Sequence, residues 1–169
     1  MSGNLLSQSF GESYTSPPAG SVGKVIQHKP GVKYRFVKND SGGDLLKNEA
    51  LKFKSRANFT VEKTAAALDK PCGVVPDEVK AFKIPDGDHF YMQIAGESKV
   101  IHDGGTATVI GDWVAPNVTT AGRVVGRSPA AQDDEIPQNV LGRALAVETG
   151  AGNVFAIQLF ESNLEEGGF

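Results

Sequence analysis

The stretch that decides the fold runs from Thr119 to Leu159. It reads Thr119-Thr120-Ala121-Gly122-Arg123-Val124, crosses a polar segment holding Asp133-Asp134-Glu135, and resumes as Val140-Leu141-Gly142-Arg143-Ala144-Leu145. It closes on Asn153-Val154-Phe155-Ala156-Ile157-Gln158-Leu159. Two Gly-Arg steps each lead into small and branched apolar residues. The last run alternates, with Phe155, Ile157 and Leu159 on one face, which is the period of a half-buried strand. Short runs of this kind, broken by glycine and polar turns, build compact β-structure. Nothing in the stretch carries the residue pattern of bond-making chemistry.

The same punctuation extends back along the chain. In Lys33–Lys38, Tyr34 and Phe36 fall on one face and Lys33 and Arg35 on the other. Leu51-Lys52-Phe53-Lys54 alternates again, and the two runs are expected to pair across a connection whose Asn39–Asp44 part reads as loop. Cys72-Gly73-Val74-Val75 is a short apolar run closed by Pro76, and Lys80–Ile84 is a strand ended by the turn Pro85–Asp88. Phe90, Met92 and Ile94 point inward from the next strand, which leaves Tyr91 as the exposed aromatic. Gly96 breaks that strand and Lys99–His102 resumes it. Thr106–Ile110 is β-branched and strand-like, and Trp113 reads as a half-buried wall residue. Only Asn58–Lys70, with Thr64-Ala65-Ala66-Ala67-Leu68 ahead of Pro71, predicts a helix. The fold class is therefore mainly β: a compact small β-barrel or sandwich-like body with an extended N-terminal arm and at most one or two short helices. Residues 1–30 form the arm, 31–160 the body and 161–169 a flexible C-terminal tail.

The chain has 169 residues, which suits one domain, and its net charge of −3 is too small to imply a partner. Cys72 is the one cysteine, so no internal disulfide forms. Placed between Pro71 and an apolar run, it reads as a buried, inert thiol. Residues 1–11 lack the basic start and apolar run of about 7–15 residues that mark a signal peptide. No run approaches the roughly 20 apolar residues that cross a bilayer. The expectation is a protein made in a cytoplasm with no membrane partner.

Residues 1–23 are rich in Ser, Gly and Pro, yet they carry Leu5, Leu6, Phe10 and Tyr14. A solvated tail has little use for two adjacent leucines and two aromatics, so these four are the candidate anchors of a binding arm. Fixing roughly 20 residues costs on the order of 20–40 kcal/mol, while each anchor returns about 1.5–3 kcal/mol. Such an arm binds well only when several copies act together.

Motifs for catalysis fail one by one. The three histidines, His28, His89 and His102, have no nucleophile elbow of the form G-x-S-x-G to serve. Asp86-Gly87-Asp88-His89 lacks the ligand progression of a calcium loop. Gly20-Ser21-Val22-Gly23-Lys24 has Pro18 where a phosphate loop needs glycine and Val25 where it needs Ser or Thr. No catalytic residue, metal ligand or cofactor is expected. Residues 24–63 carry ten Lys/Arg against four Asp/Glu, while the remainder carries seven against sixteen. A basic segment with interleaved aromatics invites a nucleic-acid reading, but Tyr34 and Phe36 point away from Lys33 and Arg35. Stacking platforms need rings and charges on one face, so no direct nucleic-acid partner is expected.

Taken in order, these blocks resemble the capsid decoration (cement) proteins of tailed bacteriophages. Tyr34-Arg35-Phe36-Val37-Lys38-Asn39 with Leu45-Leu46 looks like that family's first hairpin. Gly73-Val74-Val75, Ile110-Gly111-Asp112-Trp113-Val114, the two Gly-Arg blocks and the Val154–Leu159 strand look like its later elements. The resemblance covers about Lys33 to Leu159 and leaves out the arm and the Asn58–Lys70 segment. It implies a non-enzymatic virion protein on the outer surface of the head, made in the host cytoplasm. It further implies a homotrimer whose partner is the major capsid protein and which stabilises the expanded capsid by bridging subunits. Arg123 and Arg143, exposed where the body turns, are then candidates for inter-subunit pairing. The alternatives from other classes are a phage surface or tail β-domain that binds glycans and, more remotely, a β-scaffold hydrolase.

Overall fold

The computed structural model describes residues 11–80, 83–117, 119–129 and 138–161. The strands are β1 (Val25–Lys29), β2 (Val32–Asn39), β3 (Leu45–Leu46), β4 (Ala50–Ser55), β5 (Thr60–Lys63) and β6 (Pro71–Val74). They continue as β7 (Lys83–Ile84), β8 (His89–Ile101), β9 (Trp113–Pro116), β10 (Val124–Arg127), β11 (Gly142–Ala144) and β12 (Val154–Leu159). The described residues contain no helix, and the chain is mainly β with a barrel body.

The long strand β8 belongs to two curled sheets. Its first half pairs antiparallel with β2, Val37 opposite Phe90 and Arg35 opposite Met92. That pairing closes the order β2-β5-β4-β6-β8 into a five-stranded barrel. Val37, Leu51, Val61, Cys72, Phe90 and Met92 fill its interior. The inward set Phe90, Met92 and Ile94 is the one the alternation predicts. Gly96 then takes φ of +92°, a backbone state that side chains resist, and the strand bends without ending. Its second half pairs with β12, from Gly96 opposite Leu159 to Ile101 opposite Val154. β11, β9 and β10 follow in order. A single bridge between His102 and Val124 brings β10 back to the end of β8. Val100, Val114, Val124, Leu141, Phe155, Ile157 and Leu159 make the core of this second unit.

Residues 11–29 lie against the first barrel. Tyr14 and His89 exchange two backbone hydrogen bonds of 2.8 Å, and Gly23 N–H donates to the Phe36 carbonyl at 2.7 Å. β1 continues the contact by pairing with β2, Ile26 opposite Tyr34. Tyr14, Val22 and Ile26 thereby cover an aromatic patch of Tyr34, Phe36 and Tyr91 on the barrel's outside. Phe36 lies 4.8 Å from Tyr91 and 5.9 Å from Tyr14, centroid to centroid.

Four sequence expectations are corrected. Tyr91 is not exposed but 2% accessible, because the strap of residues 14–26 covers the face it points to. Asn58–Lys70 holds no helix: Thr60–Lys63 is β5, and Ala65 and Ala66 donate to the Asp69 carboxylate at 2.6 and 2.8 Å. Lys52 holds the same carboxylate at 2.9 Å, so the alanines are bent around an anchored acid. β2 and β4 do not pair, because β5 lies between them, parallel to β2 and antiparallel to β4. Thr106–Ile110 forms no strand; Thr108 makes one isolated bridge to Glu148.

Candidate functional site

The second unit carries the surface of interest. Register sets Arg127 and Arg143 on either side of Trp113, in β10, β11 and β9. Arg143 in turn faces Gln158 of β12, which faces Glu97 of β8. Residues paired across a ladder share a face, so Arg127, Trp113, Arg143, Gln158 and Glu97 form one row on the outside. Glycine places the cations. A Cβ at Gly142 would run into the Gln158 carbonyl, and one at Gly126 would stand 2.6 Å from the Thr108 methyl. Both glycines face neighbouring chain, so the arginine after each one points the other way, to solvent.

Beside that row the surface is apolar. Thr108 and Glu148 exchange backbone bonds of 2.8 and 3.0 Å, and Gly111 N–H donates to the Ala144 carbonyl at 2.9 Å. The 108–112 segment thus runs along 144–148 and sets Val109 and Ile110 beside Leu145 and Val147. Their accessibilities are 49, 67, 42 and 59%, high enough to make a platform rather than a margin of the core.

A polar groove of about 410 Å³ lies at the other end of the row, with Tyr34, Gln93 and Ser98 on its walls and Glu78, Glu97 and Lys29 beside them. Gln93 is internally satisfied, donating to the carbonyls of Ala95 and Glu97 and accepting from Ser98 Oγ at 2.9 Å. Asp77 holds Lys99 at 2.8 Å. That hydrogen bond, with a second from Asn48, keeps its carboxyl below the ordinary carboxylate range.

Groups that look chemical in sequence serve the scaffold. Asp88 accepts from Ser13 Oγ at 2.8 Å, and Asp86 accepts from Gly42 N–H at 2.9 Å. His89 lies 3.3 Å from the Tyr14 carbonyl, and burial holds its imidazole below its usual value. Burial likewise pushes the Cys72 thiol far up. No group of three metal-ligating side chains occurs among the described residues. The basic segment is partly neutralised from within, since Lys52 pairs with Glu62 and Asp69, Lys54 with Asp40, and Lys63 with Glu49.

Of the residues singled out in sequence, Leu5, Leu6 and Phe10 lie outside the described residues, and Tyr14 is half-buried in the strap. Arg143 is exposed in β11, opposite Trp113. Arg123 is half-buried just before β10, its carbonyl accepting from Asn117 N–H at 3.2 Å, at the far end of β9 from Trp113. The two arginines are not neighbours. Arg127 is the residue that joins Arg143 around the indole, and a third Gly-Arg step, Gly126-Arg127, was its sequence signal. Trp113 itself is 7% accessible, more deeply set than a half-buried wall residue.

No family model matches the chain. No curated protein sequence matches it either. Among solved structures, the chain is similar to the head fiber gp8.5 N base of bacteriophage phi29, at 16% identity and a TM-score of 0.49, over 78% of this chain and 96% of that one.

Proposed function

We propose that the chain is a non-enzymatic virion structural protein that binds the outer surface of a phage head. It stabilises the expanded capsid by bridging subunits of the major capsid protein, and it acts as a homotrimer. The observation that carries this reading is the platform of Val109, Ile110, Leu145 and Val147, four neighbouring apolar residues at 42–67% accessibility. Soluble surfaces scatter such residues singly, and a contiguous group marks a contact. The sequence blocks that resemble decoration proteins lie mainly on strands of the two curled sheets joined by β8 and, through Ile110, on this platform.

The strap supports a role for the arm. Residues 11–14 already bond in strand fashion, Gly11 accepting from Lys80 N–H at 2.7 Å and Tyr14 pairing with His89. Leu5, Leu6 and Phe10, which lie outside the described residues, are the proposed anchors of this arm on a neighbouring capsid subunit. Of the two rings on which the glycan reading drew, Tyr91 is 2% and Trp113 7% accessible, so neither offers an open face.

The test is direct binding. Wild-type protein is expected to bind expanded, undecorated heads saturably and to leave unexpanded shells bare, measured by co-sedimentation. Equal recovery with both shells, or with neither, removes the capsid from the function.

A further inference from the structure

We infer that the Arg127–Trp113–Arg143 row docks into the polar groove, against Glu78 and Glu97, of a second copy of this chain, so that copies join head to tail. The inference rests on the reading of the chain as a self-associating virion protein and names the contact that would hold its copies together. Three observations carry it. Arg127 and Arg143 are exposed and form no ion pair among the described residues, whereas Lys33, Lys54, Lys83 and Lys99 each hold a carboxylate. Trp113, between them, is 7% accessible and packs as the floor that spaces the two cations. At the other end of the same row Glu97, with Glu78, borders the groove, and neither forms an ion pair among the described residues.

Geometry keeps the two ends apart within one molecule. The His102–Val124 bridge brings β10 back to β8 in parallel, but Arg127 lies three residues beyond it and Glu97 five residues before it, so the two stand at opposite ends. Gln158 separates Arg143 from Glu97 in the register. Cations and carboxylates are therefore offered outward at different places, and each patch fits the other rather than itself. A contact between two unlike patches is heterologous, and it closes as a ring when the rotation per copy allows. Matched charges set the register of such a contact and penalise the wrong one. Lys29 and the Asp77–Lys99 pair, also on the groove, leave room for selectivity: the incoming row meets Glu78 and Glu97, which form no ion pair among the described residues, beside one ammonium and one ion pair.

Charge exchange tests the contact on the full-length protein. Arg127→Glu with Arg143→Glu, and separately Glu78→Lys with Glu97→Lys, should each weaken self-association about 100-fold or more, read by sedimentation equilibrium, with circular dichroism unchanged. All four substitutions in one chain restore complementarity and should restore the oligomer. Oligomers that survive both double reversals, or a fourfold variant that stays monomeric, overturn it. The virion role fails separately. A persistent monomer that still binds heads sinks this contact alone, and a ring that ignores heads sinks the capsid reading alone.

Discussion

Tyr34 shows what the strap does to a single residue. Buried at 2% accessibility, its phenol is pushed up to about 12, first by burial and then by the Glu78 carboxylate. Burial raises Tyr91 in the same direction. A group whose folded value lies above its unfolded value stabilises the fold fully below the unfolded value, and that share is lost as pH rises through the folded one. The body should therefore lose stability between about pH 10 and 12, followed by urea unfolding at stepped pH with absorbance of the phenolate alongside. Tyr34→Phe should make that decline shallower; an identical slope would show that the phenol titrates freely. At this scale the sequence was informative about chemistry and poor about exposure. The inert thiol of Cys72 was legible from its neighbours. The burial of Tyr91 was not, because the period-2 pattern says which side of a strand a ring occupies and not that a distant segment covers it. The cation row was half legible: Arg143 could be picked out, but its pairing with Arg127 across Trp113 depends on register between strands far apart in sequence.

Among the elements, β8 decides the architecture, and it does so through one glycine. Alternation identifies its first half and its inward residues, yet Gly96 reads as a break. In the fold it is a bend that lets one strand serve two curled sheets. A Cβ there would stand 2.8 Å from the Gly31 carbonyl oxygen and 2.8 Å from a Val32 methyl, on a backbone of φ +92°. Gly96→Ala combines that strain with overpacking of the β1–β2 turn, and should cost about 2–4 kcal/mol, measured as a shift in the urea midpoint. A cost below half a kcal/mol, roughly the scatter of neutral surface substitutions, would mean that the bend relaxes and does not hold the two sheets in place. β5 was the element most hidden in the sequence. Its four residues precede an alanine run that favours a helix by propensity, and only the distant Lys52 and Asp69 pair shows why the chain turns instead. Missing β5 then misassigned the partner of β2, since a short inserted strand changes every neighbour in a ring.

At the scale of the molecule, two structural units offer two different contacts. The strap and arm leave from the first barrel, while the apolar platform and the cation row sit on the second. If the platform seats the protein on capsid and the arm adds reach, the two should fail in different ways. Ile110→Asp with Val147→Asp places carboxylates on residues 67 and 59% exposed, so the fold should be nearly unaffected, within about 0.5 kcal/mol. Head binding should fall about 100-fold, the loss expected when a central apolar anchor is replaced by a charge. Removing residues 2–10 spares every described contact of the strap. In the proposed trimer it should weaken binding by a smaller factor per copy that multiplies across the copies, because linked sites gain through effective concentration. Co-sedimentation of each variant with expanded heads, as assembled protein and as dissociated chain, separates the outcomes. Platform variants that bind like wild type would move the docking surface off the second unit and leave the arm as its sole carrier. A truncated chain that binds like wild type in both states would assign attachment to the platform and leave residues 2–10 without a part in it.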